Sequence, residues 1–315
     1  MSSNSPAPIR RKSDNIGLGL VLTLLAILIF GLQDAVSKML VQTYSPFQVA
    51  MMRYWAFAAF AILLALRQAP ISQVFHSAMP RLQVTRGALL VIDIWCFAAA
   101  LISVPLGEMQ AIMLIYPLIV TLVAIPILGE KVGIFRFAAV VVGFAGALVI
   151  VRPGGVPLGW GVLFGVASAV TYAVYIALTR KVSSQDTTAT SMVYVGVVGL
   201  VMTTTVGVFF WQPMDMQSLG LIGVVMLTSV TAHGLMMVAL SLAPASALQP
   251  FHYSGLPWAI LLSYLFFGHL IDTVSLIGAG IIAGAGLVVM ARERHRARLS
   301  RVAAPGPTAE ELLPH

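Results

Sequence analysis

The sequence predicts an all-α polytopic membrane protein in which ten transmembrane helices form two inverted five-helix repeats around a central cavity. Three observations predict this fold: an apolar composition, apolar runs of membrane-spanning length, and an internal repeat. Of the 315 residues, 59% are hydrophobic and only 9% are charged, and the mean hydropathy is +0.95. Soluble domains carry about 25% charged residues, so this composition excludes an ordinary soluble protein.

Apolar runs recur ten times along the chain. A helix needs about 20 apolar residues to cross the hydrocarbon core of a bilayer, and these runs are close to that length. Short connections rich in proline and glycine separate them. The runs do not alternate polar and apolar residues, so helices rather than barrel strands are expected. The predicted spans are 17–40, 46–67, 82–103, 106–128, 133–151, 158–180, 188–211, 218–241, 246–267 and 273–292.

The basic residues predict the orientation of these spans. Lys and Arg accumulate in the cytoplasmic connections of membrane proteins. If the N-terminus is cytoplasmic, fifteen of the eighteen Lys and Arg residues fall on the inner side, and only Lys38, Arg53 and Arg152 fall on the outer half. The first apolar run is too long for a signal peptide, and no small-residue cleavage motif follows it. We therefore predict an uncleaved first span, an even number of spans and two cytoplasmic termini.

The second half of the chain repeats the first. Prolines, glycines and helix-end residues recur in register, which predicts two repeats of five helices. The matched pairs are Pro105 with Pro244, Gln110 with Gln249, Gly129 with Gly268, Lys38 with Arg180 and, after a shift of one residue, Pro117 with Pro257. The predicted organisation is a cytoplasmic tail at 1–15, a first repeat at 16–152, a second repeat at 157–292 and a cytoplasmic tail at 293–315.

An odd number of spans in each repeat places the two repeats in opposite orientations across the bilayer. Inverted repeats are typical of transporters that bind substrate between their halves and alternate access by rocking them. Pro117 and Pro257 are predicted to kink the fourth and ninth spans for gating. Small residues four positions apart, such as Gly161 with Gly165 and Gly280 with Gly284, predict close helix packing.

Motifs of enzymes and nucleic-acid-binding proteins are missing from the sequence. It has no GxxxxGK[ST], HExxH or GxSxG pattern, so we predict neither an enzyme nor direct use of ATP. Cys96 is the only cysteine and has no metal-binding spacing, so no metal or cofactor is expected. The basic residues lie in loops and tails without interleaved aromatics, which favours contact with the lipid bilayer over nucleic acid.

Polar groups inside the predicted spans are the candidates for substrate binding or gating. A charge at the bilayer centre costs about 2.5–3.5 kcal/mol, so such residues normally face a cavity or a partner. Asp34 and Lys38 either form an ion pair four residues apart or line a cavity, and Asp34 has no polar counterpart in the second repeat. The polar candidates are Gln33, Asp34, Arg53, Asp93, His233 and His252.

A structural role is the alternative for each of these residues. Arg53 either pairs with Asp34 or Glu108 or holds a substrate carboxylate. Asp93 and the two histidines either bridge helices or contact a substrate amine and carry protons. Glu108 is expected to stabilise the first turn of the fourth span, where the helix dipole favours a carboxylate, and Lys38 to anchor the end of the first span.

Six aromatic residues lie deep within the spans, although Trp and Tyr prefer the membrane interface. Rings around a central cavity would suit amphipathic or aromatic solutes, and ordinary core packing is the alternative. These residues are Trp95, Tyr116, Tyr172, Tyr175, Tyr253 and Trp258.

Two stretches resemble a known family. The pattern PLGE…YPLI…LGEK…GFAGALVI at 105–150 and the stretch SPFQVAMMRYW at 45–55 resemble the EamA-type domain of the drug/metabolite transporter superfamily. The resemblance recurs once in each half, and the second copy departs at Gly268-His269, where the pattern has an acidic residue. It implies a bacterial inner-membrane carrier in which helices 1–4 and 6–9 surround a cavity while helices 5 and 10 are peripheral. The length and tails are similar to those of amino-acid exporters, including the YddG-like aromatic amino-acid branch.

The expected function is therefore export of small metabolites, with amino acids first, by alternating access. A multidrug, cationic-compound or vitamin- and nucleotide-type metabolite transporter is the alternative, and a membrane-embedded enzyme or scaffold is more distant. Facilitated diffusion and proton exchange through Asp34, Asp93 or a histidine are both open as energy sources. The expected partners are a small-molecule substrate, the lipid bilayer and, in the second case, protons.

Overall fold

The computed structural model describes residues 15–67, 70, 74–129, 133–151, 159–243 and 248–303. These ranges form α-helices and two 3₁₀ segments, Val208–Phe210 and Gln249–Ser254. No strand occurs among them, so the predicted all-α class is confirmed. The α-helices are α1 (Ile16–Val41), α2 (Pro46–Leu66), α3 (Pro80–Ala100), α4 (Leu106–Met113), α5 (Tyr116–Leu128), α6 (Ile134–Ile150), α7 (Trp160–Val182), α8 (Thr188–Gly207), α9 (Met216–Leu242), α10 (Gly255–Phe267) and α11 (Thr273–Ala303).

Eight stretches of the described chain are long and apolar enough to cross a membrane. They are α1, α2, α3, α4 with α5, α7, α8 with its 3₁₀ extension, α9 and α11. Helix α6 contains a shorter apolar stretch, and α10 with the 3₁₀ segment before it covers the ninth predicted span. The chain is thus a polytopic membrane protein. Its division into two inverted five-helix repeats stays a prediction.

Successive spans run in opposite directions, which defines two faces of the molecule. The tail face carries Ile16, where α1 begins, and Ala303, where α11 ends. The far face carries the connections at residues 42–45 and 268–272. Helix α11 continues past residue 292 into the stretch predicted as a tail, while residues 1–14 and 304–315 lie outside the described residues.

Polar side chains and glycines set many of the helix ends. Five of the described helices begin with a side-chain oxygen that accepts a backbone N–H of the first turn, which satisfies an otherwise unpaired donor. These caps are Asn15 in α1, Ser45 in α2, Thr187 in α8, Asp215 in α9 and Asp272 in α11. Gly129 and Gly268 end α5 and α10 with φ angles of 69° and 64°, a left-handed conformation that favours glycine. Gly129 and Gly268 are one of the residue pairs that the sequence repeat matches.

The fourth and ninth spans are both interrupted at matched positions. Residues 114–115 separate α4 from α5, and Pro117 lies in the first turn of α5. In the ninth span the 3₁₀ segment passes into α10, whose first turn contains Pro257. Proline has no N–H to donate to the preceding turn, so an unbroken α-helix is disfavoured at both places.

Helix packing follows the same pairing of first and second halves. Helix α1 packs against α9, and its counterpart α7 packs against α3. Likewise α1 contacts α10, and α7 contacts α5. Two groups of helices result, named here the α1 group (α1, α9 and α10) and the α7 group (α3, α5 and α7). This exchange of partners is what an inverted repeat predicts, and it supports that prediction.

The small residues contribute to packing at some of the predicted places and not at others. Helices α6 and α11 approach closely, because a β-carbon on Gly278 would lie 2.6 Å from the carbonyl oxygen of Gly146. Gly161 likewise faces Ser103, so its packing role is confirmed. The prediction is wrong for Gly280 and Gly284, where a β-carbon would meet no atom within 4 Å. They lie on another side of α11 from Gly278, so spacing alone did not identify the packed face.

Candidate functional site

A central cavity of about 680 Å³ lies between the two helix groups. Its volume falls in the range of about 300–1,000 Å³ that is typical of small-molecule sites. At the tail face the lining reaches Leu240 and the exposed side chain of Arg180. At the other end it stops at Ser37, Val49 and Ala50, which are buried. Within the described part of the chain, the cavity is therefore open towards the tail face and closed towards the far face.

Helix α11 contributes to the cavity, contrary to the expectation that the tenth span is peripheral. Gly286, Val289 and Met290 of α11 line it, whereas α8, expected among the surrounding helices, contributes none of the described lining residues. The cause is a close approach, because a β-carbon on Gly286 would lie within van der Waals overlap of the Tyr253 hydroxyl. The absent side chain lets Tyr253 lie between α11 and the cavity.

Three charged residues from three helices face the middle of the cavity. Asp34 of α1 accepts a hydrogen bond from Gln110 Nε2 at 2.9 Å. Asp93 of α3 accepts one from Ser168 Oγ at 2.5 Å. Arg53 of α2 lies close enough to both carboxylates to interact with each electrostatically. Two acids with one base leave a surplus of one negative charge, which in a low-dielectric site favours a cationic ligand or a proton.

Aromatic rings surround this charged centre. Tyr116 and Tyr172 line the cavity and meet edge to face, with centroids 4.9 Å apart. Tyr253 lines it from the opposite helix group, and Phe30 and Phe97 add apolar surface. Such rings offer flat faces for stacking and hydroxyl groups for hydrogen bonding. The arrangement suits a planar, polar-edged solute.

The far end of the cavity is closed by a lysine that bonds to backbone carbonyls. Lys38 Nζ donates to the carbonyl oxygens of Leu101 at 2.6 Å and Val104 at 2.8 Å, just beyond the end of α3. The last carbonyls of a helix have no partner within the helix and carry partial negative charge, so a cation is favoured there. Gln42 Nε2 donates to the carbonyls of Leu101 and Ile102, both at 3.3 Å. The Asp34–Lys38 ion pair considered from the sequence is not formed among these contacts.

A second contact closes the far face beside Lys38. Glu108, in the first turn of α4 as expected, is 3% exposed and lies 2.7 Å from the Nε2 atom of His269. His269 follows α10, so this contact joins the first half of the chain to the α1 group. The second oxygen of Glu108 has no hydrogen-bond partner among the described residues, and Lys38 is near enough to stabilise its charge.

At the tail face a polar cluster ties α3 to the α7–α8 connection. Asp186 accepts hydrogen bonds from Ser77 Oγ at 2.5 Å, the Ala78 amide at 2.8 Å and Gln83 Nε2 at 2.8 Å. Arg86, 2% exposed, donates to Gln83 Oε1 at 2.8 Å and to a backbone carbonyl of α8 at 2.6 Å. Burial of Asp186 raises its pKa, but these hydrogen bonds and the charge of Arg86 lower it more, so its pKa lies below the usual 3.8.

Seven of the predicted candidates line the cavity. Asp34, Arg53 and Asp93 form its charged centre, and the remaining four are three tyrosines and a histidine. Pro117 lines it as well, at the break between α4 and α5. The lining candidates are Asp34, Arg53, Asp93, Tyr116, Tyr172, His252 and Tyr253. Their roles in binding or gating stay a prediction.

Five other candidates do not line this cavity, and their contacts indicate packing. His233 Nδ1 lies 2.8 Å from the Ser229 carbonyl, and its ring packs between Phe30 and Phe57. Trp258 Nε1 donates to the Leu28 carbonyl at 2.9 Å. The others are Gln33, 1% exposed, Trp95, packed on Phe47, and Tyr175, stacked on Tyr172. Burial depth along a span does not determine which side of the helix a residue occupies, so the sequence could not separate these from the lining set.

Several cavity residues were not selected from the sequence. Gln110 and Arg180 stand out in the sequence only as members of repeat pairs, and Phe30 resembles an ordinary span residue. So does Ser168, which does not line the cavity itself but donates to Asp93. The repeat was the one signal that pointed to Arg180, because its counterpart Lys38 had been singled out.

The helices, the central charged cavity and its one-sided opening define a membrane transporter. Comparison with known proteins gives its family. Residues 17–152 match the EamA-like transporter family. A riboflavin transporter of Vibrio cholerae is 30% identical over 260 residues, covering 80% of this chain and 85% of that protein. The chain therefore belongs to the EamA-like transporter family, and it is a transporter rather than an enzyme.

Other relatives and a solved structure are consistent with this assignment. A riboflavin transporter of Rhizobium johnstonii is 27% identical and spans 89% of this chain and 93% of that protein. An S-adenosylmethionine uptake transporter of Rickettsia bellii is 23% identical and spans 90% and 96%. A crystal structure superposes with a TM-score of 0.59 and 17% identity, covering 86% of this chain and 95% of that chain, which shows a shared fold.

Proposed function

We propose that this transporter moves a planar heterocyclic metabolite of the vitamin or nucleotide type, with riboflavin as the first candidate, into the cell. The main observation that supports this proposal is the cavity of about 680 Å³, which combines tyrosine rings with the Asp34–Arg53–Asp93 centre. Flat rings stack on an isoalloxazine or purine system, and charged groups bind hydroxyl or amide edges. The riboflavin transporters among its relatives support the same substrate class.

S-adenosylmethionine or a related cationic nucleoside is the second candidate. The surplus carboxylate at the Asp34–Arg53–Asp93 centre supports it, because a sulfonium or ammonium group bound there would neutralise that local charge. The uptake transporters of Rickettsia support this candidate. With a neutral heterocycle, a proton would have to supply the same positive charge.

Amino-acid export was the first expectation from the sequence, and the relatives do not support it. Their names favour the vitamin- and nucleotide-type alternative and, for S-adenosylmethionine, uptake. The proposed setting is the bacterial inner membrane with the tail face in the cytoplasm. The concentration of Lys and Arg on that side supports this orientation.

A proteoliposome experiment tests the substrate class. Counterflow of labelled riboflavin, S-adenosylmethionine and an aromatic amino acid is measured with and without a pH gradient. We expect riboflavin or S-adenosylmethionine to be exchanged and the amino acid not. Exchange of the amino acid alone would contradict the proposal and restore the first expectation.

Matched variants connect the substrate to the site. Asp93→Asn removes a charge from the cavity centre, and it should lower exchange about tenfold or more by loss of a charge-assisted hydrogen bond. Asp215→Asn is the control, because Asp215 caps α9 at the far face and does not line the cavity. Equal rates in the two variants would show that Asp93 takes no part in transport.

A further inference from the structure

Arg53 is held in the cavity wall through only one nitrogen of its guanidinium. The Nε atom donates a hydrogen bond to Ser229 Oγ of α9 at 3.3 Å. A guanidinium carries five N–H donors, and four of them are on the two terminal nitrogens. Within the described part of the chain, these terminal nitrogens make no hydrogen bond and no ion pair. The donor fork of Arg53 is therefore available to a ligand in the cavity.

Ser229 holds this side chain from a position outside the cavity. It is fully buried on α9 and is not among the residues that line the cavity. Its backbone carbonyl lies 2.8 Å from His233 Nδ1, so this part of α9 is fixed by a second contact. Because the guanidinium is planar, a bond at Nε limits the directions that the terminal nitrogens can take. Ser229 thus orients the fork without occupying the space where a ligand would bind.

A hydrogen-bond acceptor faces the same cavity. Asp34 accepts the bond from Gln110 through Oδ2 at 2.9 Å, and its Oδ1 atom accepts none from the described residues. Asp34 and Arg53 both line the cavity and interact electrostatically, but no direct hydrogen bond joins them among the described contacts. A donor and an acceptor that are not bonded to each other complement a ligand edge that carries an acceptor next to a donor.

We propose that Ser229 positions Arg53, and that Arg53 and Asp34 together recognise one edge of the substrate's heterocycle, where an acceptor lies next to an N–H donor. This assignment rests on the proposed function and specifies which part of the substrate the charged centre contacts. In riboflavin the edge is the imide of the isoalloxazine: the guanidinium donates to a ring carbonyl, and Asp34 accepts the ring N–H. Adenine has an equivalent edge, in which a ring nitrogen is the acceptor and the amino group is the donor.

Charge balance alone is the competing explanation for Arg53. Two carboxylates in a low-dielectric centre require a cation, and a cation of any orientation would serve. The bond from Ser229 favours recognition, because it fixes the plane of the guanidinium. Only arginine presents its donors as a planar fork, whereas lysine supplies a point charge. The two explanations therefore predict different responses to substrate analogues and to Arg53→Lys.

Competition in proteoliposomes tests the recognised edge. Unlabelled riboflavin derivatives compete with labelled riboflavin for counterflow by the full-length protein. Methylation of the imide nitrogen removes the N–H donor, so this derivative should compete at least about tenfold less well than riboflavin, because buried polar groups of the site lose their partner. A derivative with one added methyl group on the benzenoid ring, at the opposite end of the flavin, is the matched control and should compete as riboflavin does.

Variants at Ser229 test its positioning role. In Ser229→Ala the fork is no longer held, so the KM for riboflavin should rise about three- to tenfold while the maximal rate stays unchanged. The preference for riboflavin over the imide-methylated derivative should narrow at the same time. Ser229→Thr keeps the hydroxyl and should restore both values. Thr228→Val is the control, because the Thr228 hydroxyl bonds to carbonyls of its own helix, Val224 at 2.7 Å and Val225 at 3.1 Å.

Arg53→Lys separates recognition from charge balance. It keeps the cation that the two carboxylates require but has no planar fork, so the preference should narrow as in Ser229→Ala. A preference retained in Arg53→Lys or in Ser229→Ala would overturn the assignment. If Ser229→Ala does not fold, Ser229→Cys replaces it, because a thiol occupies similar space and accepts only weakly.

The same measurements distinguish failure of this assignment from failure of the proposed function. Equal competition by riboflavin and both derivatives in the parent protein would overturn the edge assignment and leave riboflavin transport intact. If S-adenosylmethionine is exchanged instead of riboflavin, its derivative dimethylated on the adenine amino group takes the place of the imide-methylated flavin, with the same expected loss. Exchange of neither compound would overturn the proposed function and this assignment with it.

Discussion

The two ends of the central cavity differ, although the predicted repeat relates them in sequence. At the far end, Lys38 and Gln42 join the two helix groups, and the Glu108–His269 contact joins α4 to the end of α10. At the tail end the corresponding Arg180 is exposed and the lining reaches the surface. One sequence pattern thus adopts a closed arrangement at one face and an open arrangement at the other. This difference is what alternating access requires of an inverted repeat.

The far end also has a contact for which the repeat offers no equivalent. Glu108 and His269 meet there, while the register places Ala247 opposite Glu108 in the second half. The tail end instead has the Asp186 cluster, whose bonds link α3 to α7 and α8. The two faces are therefore stabilised by different side-chain contacts.

The largest expected effect comes from the centre that both ends share. Arg53→Gln leaves Asp34 and Asp93 facing the cavity without their cation, so the free energy of unfolding should fall by about 3–5 kcal/mol. Thermal unfolding in detergent measures this loss. Adding Asp34→Asn removes the surplus charge and should recover part of the stability. Additive losses in the double variant would contradict electrostatic coupling at the centre.

Removal of His269 should open the far end by a smaller amount. His269→Ala deprives the buried Glu108 of its hydrogen-bond partner, which costs about 1–3 kcal/mol in the closed arrangement. Ala98→Cys, in a Cys96→Ala background, places a thiol in the buried far part of the cavity, and its labelling by a membrane-impermeant maleimide applied from the far face should then rise about tenfold. His76→Ala, an exposed histidine in the α2–α3 connection, is the matched control and should change nothing. Unchanged labelling in His269→Ala would show that this contact does not help to close the far end.

The tail-face cluster should respond to pH. The lowered pKa of Asp186 means that its charged form is stabilised in the folded protein, so this stability is present above the usual pKa and is lost as pH falls through the lower, folded value. Asp186→Asn should reduce unfolding stability by about 1–3 kcal/mol at pH 7, and the difference should shrink below about pH 4. Thermal unfolding at both pH values tests this. A difference that grows in acid would contradict the assignment.

The smallest expected effect is at the aromatic wall of the cavity. Tyr172→Phe keeps the ring contact with Tyr116 and removes one hydroxyl, so counterflow should fall about two- to tenfold. Tyr264→Phe is the control, because that ring is 52% exposed on α10 and does not line the cavity. An equal loss in both variants would point to a general effect on folding.

The sequence predicted the elements that depend on local pattern. The lengths of eight of the ten predicted spans, the breaks at Pro117 and Pro257 and the helix ends at Gly129 and Gly268 follow from hydropathy and backbone chemistry, and the structure agrees with them. The sequence identifies Asp34 and Asp93 as candidates because a charged side chain in the hydrocarbon core is costly unless it faces a cavity or a partner. The side of each helix that faces the cavity was harder to predict. A membrane helix has apolar surroundings on every side, so it lacks the polar stripe that marks the exposed face of a soluble helix.

Partners across helices could not be predicted at all. Gln110 beside Asp34 and Ser168 beside Asp93 belong to contacts set by helix rotation and tilt, which no single span encodes. Trp258 was selected as a cavity residue, yet its indole packs over Gly31 and bonds to a backbone carbonyl of α1. Whether each face is open or closed depends on how all the helices pack together. The sequence repeat alone gives the same pattern for both ends of the cavity.

The most direct test of the central claim measures both ends of the cavity in the same protein. Spin labels at Thr43 and Ile102 report the far face, and labels at Ser184 and Val238 report the tail face, all at exposed positions on opposite helix groups. Distances are measured by pulsed electron resonance in lipid nanodiscs for the parent protein and for Lys38→Met. We predict that the variant lengthens the far-face distance and shortens the tail-face distance together. Lengthening at the far face with no change at the tail face would contradict alternating closure of the two ends.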